Sequence, residues 1–241
     1  MFLAIKEMKH SKTRFAMIGA IIMLIAWLVF ILSGLGNGLS TLAAATMKNI
    51  DGDLFIYEEG SEGTMMKTKV SGTIADDIEG KYGVKEAAKF GQSTIIIHNP
   101  KITDSKVNED VAFLGIEPGK FIEPKVIEGK QLSKDDLFGV VIDESLADKG
   151  YSIGDKFEVT SSDISLEVVG ITKGETFNHL PTVFANVETW QSYAFAAPGS
   201  DNGLESPVAM IALQGENLDA DAIASNYDAI ETVTKSDAIM G

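Results

Sequence analysis

The sequence contains no cysteine and a single arginine, Arg14. The missing cysteines exclude disulfide bonds, thiol catalysis and cysteine-ligated metals. A formal net charge of −15 argues against nucleic acid as a partner, because phosphates are bound by clusters of lysine and arginine. The chain also has no P-loop, no G-x-S-x-G motif and no H-x-x-x-H spacing among its three histidines. We therefore expect no catalytic site, no zinc site and no resident cofactor in this polypeptide.

The chain does contain one long uncharged segment, residues 15–47. Its most apolar part, residues 15–36, is long enough to cross a bilayer, since about 20 residues at about 1.5 Å each span the hydrocarbon layer. A cleaved secretion signal is the alternative, with the alanine triplet 43–45 as the cleavage site. The apolar core is longer than the roughly 7–15 residues of a signal peptide, and the triplet lies about ten residues beyond its last bulky cluster. We expect a retained transmembrane helix.

The charges on the two sides of this helix have opposite signs. Beyond residue 48 the chain carries 15 lysines and 34 acidic residues, a net charge of −19. The positive-inside rule therefore predicts a cytoplasmic N-terminus in a plasma membrane, with everything after about residue 37 on the extracytoplasmic side. Residues 1–14 are interpreted either as an amphipathic helix on the inner leaflet or as a frayed tail. The basic residues that set this orientation are Lys6, Lys9, Lys12 and Arg14.

The part after the helix is predicted to be a helical extension, residues 37–52, and an exterior core domain, residues 53–241. Short strands mixed with few, short helices indicate an α+β fold, organised as one or two subdomains around a loop at 196–205. We expect an N-cap at Asp143 and another at Asn217. Helices are predicted at 64–81, 144–149, 187–193 and 218–227. Strands are predicted at 54–57, 84–90, 93–98, 111–116, 140–142, 156–160, 165–171, 182–185, 209–213 and 229–234.

Two sets of residues in the first helix are candidate contact sites. Gly34 and Gly38 form a G-x-x-x-G pattern, which either lets two membrane helices approach closely or loosens the end of this helix. The thioethers of Met17, Met23 and Met47 either pack against lipid or contact an apolar ligand, including the iron of a haem.

Two stretches resemble the FtsX-like, or MacB-like, permeases of ABC transporters. Residues 3–39 carry the K-E-x-x-x-x-K-x-R pattern before the first membrane helix, formed here by Lys6, Glu7, Lys12 and Arg14. Residues 140–172 (VVIDESLADKGYSIGDKFEVTSSDISLEVVGIT) resemble the exterior core domain of the family, and EGKQL at 128–132 resembles its lead-in. The S-G-L-x-x-G-L end of the helix looks most like that of haemin-export permeases.

This resemblance implies a permease subunit that works as a dimer with a separate ABC ATPase and moves an amphiphilic substrate such as haemin. The family has three further membrane helices after the exterior domain, so the resemblance covers its N-terminal part, and we expect either a truncated permease or an isolated remnant. A single-pass protein whose exterior domain regulates cell-wall enzymes is the second hypothesis. A membrane-anchored hydrolase using unrecognised carboxylates is the third.

Overall fold

The computed structural model describes residues 12–61, 65, 68–98, 101, 108–160, 162 and 164–240. Contacts divide the chain into two units, Met1–Leu42 and Ala43–Gly241. The first contains most of helix α1 (Lys12–Asn49), whose large apolar side chains are exposed from Phe15 to Leu32. The stretch Lys12–Gly34 is long and apolar enough to cross a membrane. The helix runs through the glycines without a break and ends at Asn49.

The second unit contains the remaining elements. Its helices are α2 (Thr73–Ile78), α3 (Glu144–Asp148), α4 (Val187–Ala194), α5 (Ala220–Asn226) and α6 (Lys235–Met240). Its strands are β1 (Leu54–Glu58), β2 (Val70–Ser71), β3 (Val84–His98), β4 (Asn108–Ile116), β5 (Val126–Gly129), β6 (Gly139–Asp143), β7 (Lys156–Glu158), β8 (Ser165–Thr172), β9 (Thr176–Phe177), β10 (Leu180–Asn186), β11 (Pro207–Val208), β12 (Met210–Gly215) and β13 (Ile230–Thr234).

Within the described residues, eleven of these strands form one mixed sheet. Its order is β13-β1-β12-β3-β4-β10-β6-β8-β5, with β7 paired to β8 and β9 paired to β10. The β4–β10 and β6–β8 pairs are parallel, and the other pairs are antiparallel. Strands β2 and β11 form a separate small sheet. The mixed sheet with short helices confirms the predicted α+β class.

The central strands bury both of their faces. Successive residues of β4 and β10 alternate between two apolar clusters, so that Phe113 and Val183 face one side and Leu114 and Phe184 face the other. The first side is covered by α3, α4 and the β7 region. Because both faces are buried, these strands are apolar along most of their length rather than alternating with polar residues. A third cluster lies under α2 and α5 at the β1–β12 end of the sheet.

Trp190 of α4 lies flat on the sheet in a slot made by two glycines. Gly91 and Gly115 are direct neighbours on β3 and β4, and a Cβ atom at either position would collide with Trp190, at Gly91 with the indole ring and at Gly115 first with Trp190 Cβ. The indole nitrogen donates a hydrogen bond to Ser93 Oγ at 3.0 Å. The glycine pair therefore lets the largest side chain of the core approach the backbone.

Several local predictions are wrong in informative ways. Within the described residues of 64–81, the predicted α-helix is limited to α2, because Val70 and Ser71 pair with β11 and Gly72 N donates to backbone oxygens of the 205–206 turn. The strands predicted at 84–90 and 93–98 are one strand, β3, which continues through Gly91. The predicted cap at Asn217 is wrong, since Asp219 accepts the hydrogen bond from Ala222 N at 3.0 Å. Strand β5 was not predicted.

The cap predicted at Asp143 is confirmed. Its carboxylate accepts a hydrogen bond from Ser145 N at 3.1 Å at the start of α3.

Candidate ligand pocket

A pocket of about 240 Å³ opens in the second unit, beside the residues that follow helix α1. Its floor is the apolar face of the sheet, where Leu114 and Phe184 are direct neighbours on parallel strands. The segment 121–125, which follows the turn at Glu117-Pro118-Gly119, also lines it and is called its cover below. The apolar residues that line it are Ile50, Phe90, Leu114, Phe121, Ile122, Pro124, Phe177 and Phe184.

The polar part of the pocket lining, referred to below as its wall, contains more acidic than basic residues. Three carboxylates and one ammonium group line it, together with two threonines. These residues are Asp51, Glu123, Lys125, Glu175, Thr176 and Thr182. The pocket thus combines an apolar lining, half of it phenylalanine, with a polar lining of net negative formal charge, which is the arrangement expected of a site for an amphiphilic molecule.

Buried polar side chains hold this wall in place. Thr172 Oγ1 donates to the carbonyl oxygen of Lys125 at 2.9 Å, and Thr182 Oγ1 donates to the carbonyl oxygen of Glu175. Asp143 accepts a hydrogen bond from Glu175 N at 2.9 Å. Each of these three side chains is only 1% exposed. Because a buried polar group is costly unless it is hydrogen-bonded, these three contacts tie the wall firmly to β6, β8 and β10.

Glu123 has the least satisfied polar atom of the pocket. Its Oε2 accepts a hydrogen bond from Gly119 N at 3.0 Å. Its Oε1 is buried and has no hydrogen-bond partner among the described residues. A buried carboxylate oxygen without a donor is unfavourable, so this contact of the segment 121–125 is incompletely satisfied.

The turn before the cover is anchored to α2 through Glu79. The carboxylate of Glu79 accepts hydrogen bonds from Ala87 N at 2.9 Å and from Lys120 Nζ at 2.6 Å. Both hydrogen bonds lower the pKa of Glu79 below its usual value, and the bond from Ala87 N has the larger effect. The cover therefore begins from a charged, hydrogen-bonded contact.

The structure does not bring the sequence-predicted methionines together. Met17 and Met23 are 59% and 73% exposed on α1, about 9 Å apart along the axis and about 120° apart around it. Their side chains therefore cannot both face one ligand held by a single copy of the helix. Met47 lies in the helical backbone, outside the described side chains.

The remaining predicted positions also lie in or before α1. A Cβ atom at Gly34 would meet nothing within 4 Å, and Gly38 follows one turn later in the same continuous helix. Lys12 and Arg14 are exposed at the start of the helix, whereas Lys6 and Lys9 lie outside the described residues.

The pocket residues were not predicted from the sequence, because they come from six separate places in the chain and form no motif. One local signal was available: Phe121 and Ile122 are apolar in a segment that otherwise looks like a loop. Within the described residues, no three or more histidine, aspartate or glutamate side chains are placed to hold a metal ion. What the pocket can do chemically is bind an apolar body and a polar end group.

An apolar helix followed by this α+β domain has the features of a membrane protein with an extramembrane domain. The sequence matches the family described as the MacB-like periplasmic core domain over residues 15–228. The chain belongs to this family, which confirms the resemblance noted above.

Two curated relatives carry the name hemin transport system permease protein HrtB. The one from Staphylococcus haemolyticus is 23% identical over 192 residues, which cover 80% of this chain and 51% of the relative. The one from Staphylococcus epidermidis is 28% identical over 179 residues, covering 74% of this chain and 48% of the relative. The chain thus spans about half the length of the curated relatives it matches.

Solved structures share the fold. The periplasmic region of MacB from Actinobacillus actinomycetemcomitans is 12% identical with a TM-score of 0.57, covering 79% of this chain and 92% of that one. The extracellular domain of the noncanonical ABC-type transporter YknZ from Gram-positive bacteria is 16% identical with a TM-score of 0.53, covering 76% and 99%.

Proposed function

We propose that this chain is the N-terminal part of a permease subunit of an ABC transporter. Helix α1 anchors it in the plasma membrane, the N-terminus is cytoplasmic, and the domain from about residue 53 lies outside. The observation that carries the proposal is one continuous family match, residues 15–228, which joins the exposed apolar helix to the core domain. Lys12 and Arg14 at the start of the helix and the acidic domain after it support this orientation.

Topology is tested by reporter fusions placed after Asn49 and after Gly241 in the native membrane. Both positions should report an extracytoplasmic location. A cytoplasmic signal from either fusion would refute the proposed orientation. Reversal of Lys6, Lys9, Lys12 and Arg14 to glutamate serves as the control, since it removes the basic bias and should disturb the orientation.

The proposed partners are a separate ABC ATPase and a second copy of the permease. The absence of a P-loop from the sequence and the permease names of the relatives support this division of labour. The open surface at Gly34, with Gly38 one turn further, suits the close approach of a second helix. Gly34→Leu with Gly38→Leu should weaken crosslinking between copies in the membrane, whereas Gly19→Leu, outside the pattern, should not.

The proposed substrate is an amphiphilic molecule, with haemin as the candidate because two relatives are named for hemin transport. Met17, Met23 and Met47 are the candidate thioether contacts, and Met17 and Met23 are alternatives because they cannot both face one haemin held by a single copy of the helix. Titration of haemin into the full chain in lipid nanodiscs should shift the haem absorption band. Replacement of each methionine by leucine should reduce that shift at a ligating position and leave it unchanged elsewhere. An identical band with the triple variant would exclude thioether ligation.

A further inference from the structure

One edge of strand β3 is open over a short stretch inside the sheet. On this edge β3 pairs with β12 from Val84 to Phe90, and further along it meets Val159 in an isolated bridge at Ile97. Among the described residues, no strand pairs with this edge between those two points. We propose that the open edge binds an extended, non-acidic segment of a partner protein by β-strand addition. The inference goes beyond the proposed permease role and does not depend on the transported substrate.

Two hydrogen bonds show which backbone groups of β3 point to the gap. The carbonyl oxygen of Phe90 accepts from Ala209 N at 3.0 Å, at the β12 end. The carbonyl oxygen of Ile96 accepts from Thr160 N at 2.9 Å, at the β7 end. Along an antiparallel strand, alternate residues direct both their N–H and their C=O groups to the same edge. The even-numbered residues of this stretch therefore face away from β4.

Gln92 and Thr94 are the even-numbered residues inside the gap. Two N–H and two C=O groups thus face the open edge, and no hydrogen bond from another described residue reaches them. Edges that are not meant to pair are usually protected by charges, prolines or bulges. The outer strand β5 has such a bulge and the exposed Glu128, whereas residues 90–97 (FGQSTIII) contain no charge and no proline. This stretch has donors, acceptors and no protection against pairing.

A groove of about 580 Å³ runs along the open edge. One side is β3 itself, and the other is the end of α4 with the turn that follows it. The seven described residues that line the groove are all uncharged: Gln92, Ser93, Thr94, Tyr193, Ala194, Ala196 and Ala197. Helix α4 is fixed here, because Trp190 Nε1 donates to Ser93 Oγ and Gln191 Nε2 donates to the carbonyl oxygen of Pro207, both at 3.0 Å. The small alanines leave room beside β3 for the side chains of an added strand.

The shape of the gap favours a single extended segment over a second copy of the domain. From Phe90 to Ile96 the edge is about 20 Å long, which suits a strand of about five residues. Strand β12, with β1 and β13 beyond it, closes one end of the gap, and the Val159 bridge closes the other. In a second copy the same edge lies in the same kind of gap, so the two edges cannot meet side by side.

Charge restricts which segment can bind. The part of the chain beyond residue 48 has a net charge of −19, while the groove itself is uncharged. The field of the domain therefore repels an acidic segment, and it repels a second copy as well. A segment with an uncharged centre and basic flanks is attracted. This charge preference assigns the edge to a different protein.

Hydrogen exchange tests first whether the edge is open. It is measured on the full chain in nanodiscs by mass spectrometry with fragmentation to single residues. We expect the amides of Gln92 and Thr94 to exchange at least tenfold faster than those of Ser93 and Ile95, which pair with β4. Slow exchange with one copy per nanodisc would show that the chain fills its own edge. Exchange that slows only with two copies would assign the edge to a second copy. Either result would overturn the proposal.

A phage-displayed library of random heptapeptides supplies the probe. Selection uses the full chain in phosphatidylcholine nanodiscs, and empty nanodiscs remove peptides that bind lipid. Synthetic versions of the recovered peptides should bind saturably and slow the exchange of Gln92 and Thr94. Methylation of alternate peptide nitrogens along one edge should weaken binding about tenfold by removing hydrogen bonds. Glutamate in place of the basic flanks should weaken it at least fivefold. If no recovered peptide slowed exchange at these two residues, the proposal would be wrong.

Thr94→Pro tests the backbone contact. It removes an N–H group that faces the gap and leaves the bonds to β4 in place, as proline does on an edge strand. Peptide affinity should fall at least tenfold. The matched control is Thr94→Val, which keeps the N–H group and should change affinity less than threefold. An equal loss in both variants would show that the side chain decides binding, which would rule out strand addition.

Ala197→Phe tests the groove from its opposite side without altering β3. The larger side chain narrows the groove, so peptide affinity should again fall at least tenfold. Urea unfolding followed by Trp190 fluorescence establishes that each variant is native, and Ala197→Phe carries the test if Thr94→Pro does not fold. Unchanged affinity in a native Ala197→Phe variant would overturn the proposal. The topology and crosslinking experiments are independent of this result, so the two proposals can fail separately.

Discussion

Replacement of Asp143 by alanine should destabilise the domain far more than an ordinary helix cap does. Asp143 is 1% exposed, and both of its carboxylate oxygens accept hydrogen bonds. Oδ1 accepts from Ser145 N at the start of α3, and Oδ2 accepts from Glu175 N at 2.9 Å. Loss of the cap costs about 1 kcal/mol. The hydrogen bond from Glu175 N to a charged group contributes about 1.5–3 kcal/mol more. We expect Asp143→Ala to lower the free energy of unfolding by about 3 kcal/mol in total.

Two comparison variants separate these contributions. Asp219→Ala removes the exposed cap of α5, which has only the bond from Ala222 N, and should cost about 1 kcal/mol. Asp143→Asn can keep the cap bond through its amide oxygen, but its amide nitrogen would face the N–H of Glu175, so its cost should lie between those of the two alanine variants.

The assay is urea unfolding of the full chain in nanodiscs with Trp190 as the reporter. The chain has two tryptophans, so Trp27 of α1 is replaced by phenylalanine in every variant. With a slope of about 2 kcal/mol per M, the midpoint should move by about 1.5 M for Asp143→Ala and by about 0.5 M for Asp219→Ala. Equal midpoint shifts for the two alanine variants would refute the claim that Asp143 holds the pocket wall.

Three further results are expected. Gly115→Ala should destabilise the domain by about 1–3 kcal/mol, because the new methyl group would lie 2.5 Å from Trp190 Cβ and 2.7 Å from its Cγ. As the comparison, Gly60→Ala should cost about 1 kcal/mol through backbone strain alone, since a Cβ there meets nothing within 4 Å but φ is +78°. Ser93→Ala should lower the free energy of unfolding by about 1 kcal/mol by leaving the indole N–H without its acceptor, with a shifted Trp190 emission maximum as the second readout. Glu79→Gln should reduce the loss of folding stability on acidification. Folding lowers the pKa of Glu79, so the ionised carboxylate stabilises the folded state above about pH 4.3, the usual pKa of glutamate. This stabilisation is lost as the pH falls through the lower pKa of the folded state. Urea midpoints at pH 7 and pH 3 should therefore differ less for Glu79→Gln than for the parent, and an unchanged difference would contradict this assignment.

The sequence predicted elements well wherever the local pattern and the tertiary environment agree. Strand β6 and the Asp143 cap follow from an apolar run, an aspartate and a short helix-forming segment, and all of these signals lie within ten residues. Helix α1 was also predictable from the local sequence, because the length and composition of its apolar run are sufficient to indicate a helix of membrane-spanning length.

Predictions failed where a distant partner decides the structure. Gly91 looks like a break between two strands, and it is part of one strand because the glycine pair accommodates Trp190 from 99 residues further along the chain. Val70 and Ser71 have a helical periodicity, and they are extended because β11 pairs with them. The pocket could not be predicted for the same reason. Its wall is held by Asp143, Thr172 and Thr182, and the local sequence does not indicate which distant backbone groups these side chains bind.

The pairing of β1 with β13 has a mechanical consequence for the domain. Leu54 lies opposite Thr234, and Lys235 N donates to the carbonyl oxygen of Asp53, so the chain enters and leaves the sheet at one corner. In an antiparallel pair loaded at the same end, tension between the two connections acts on one ladder hydrogen bond at a time, from Leu54–Thr234 inwards. Tension along the chain would therefore separate β1 from β13 one residue pair at a time, while the strands that line the pocket carry no load.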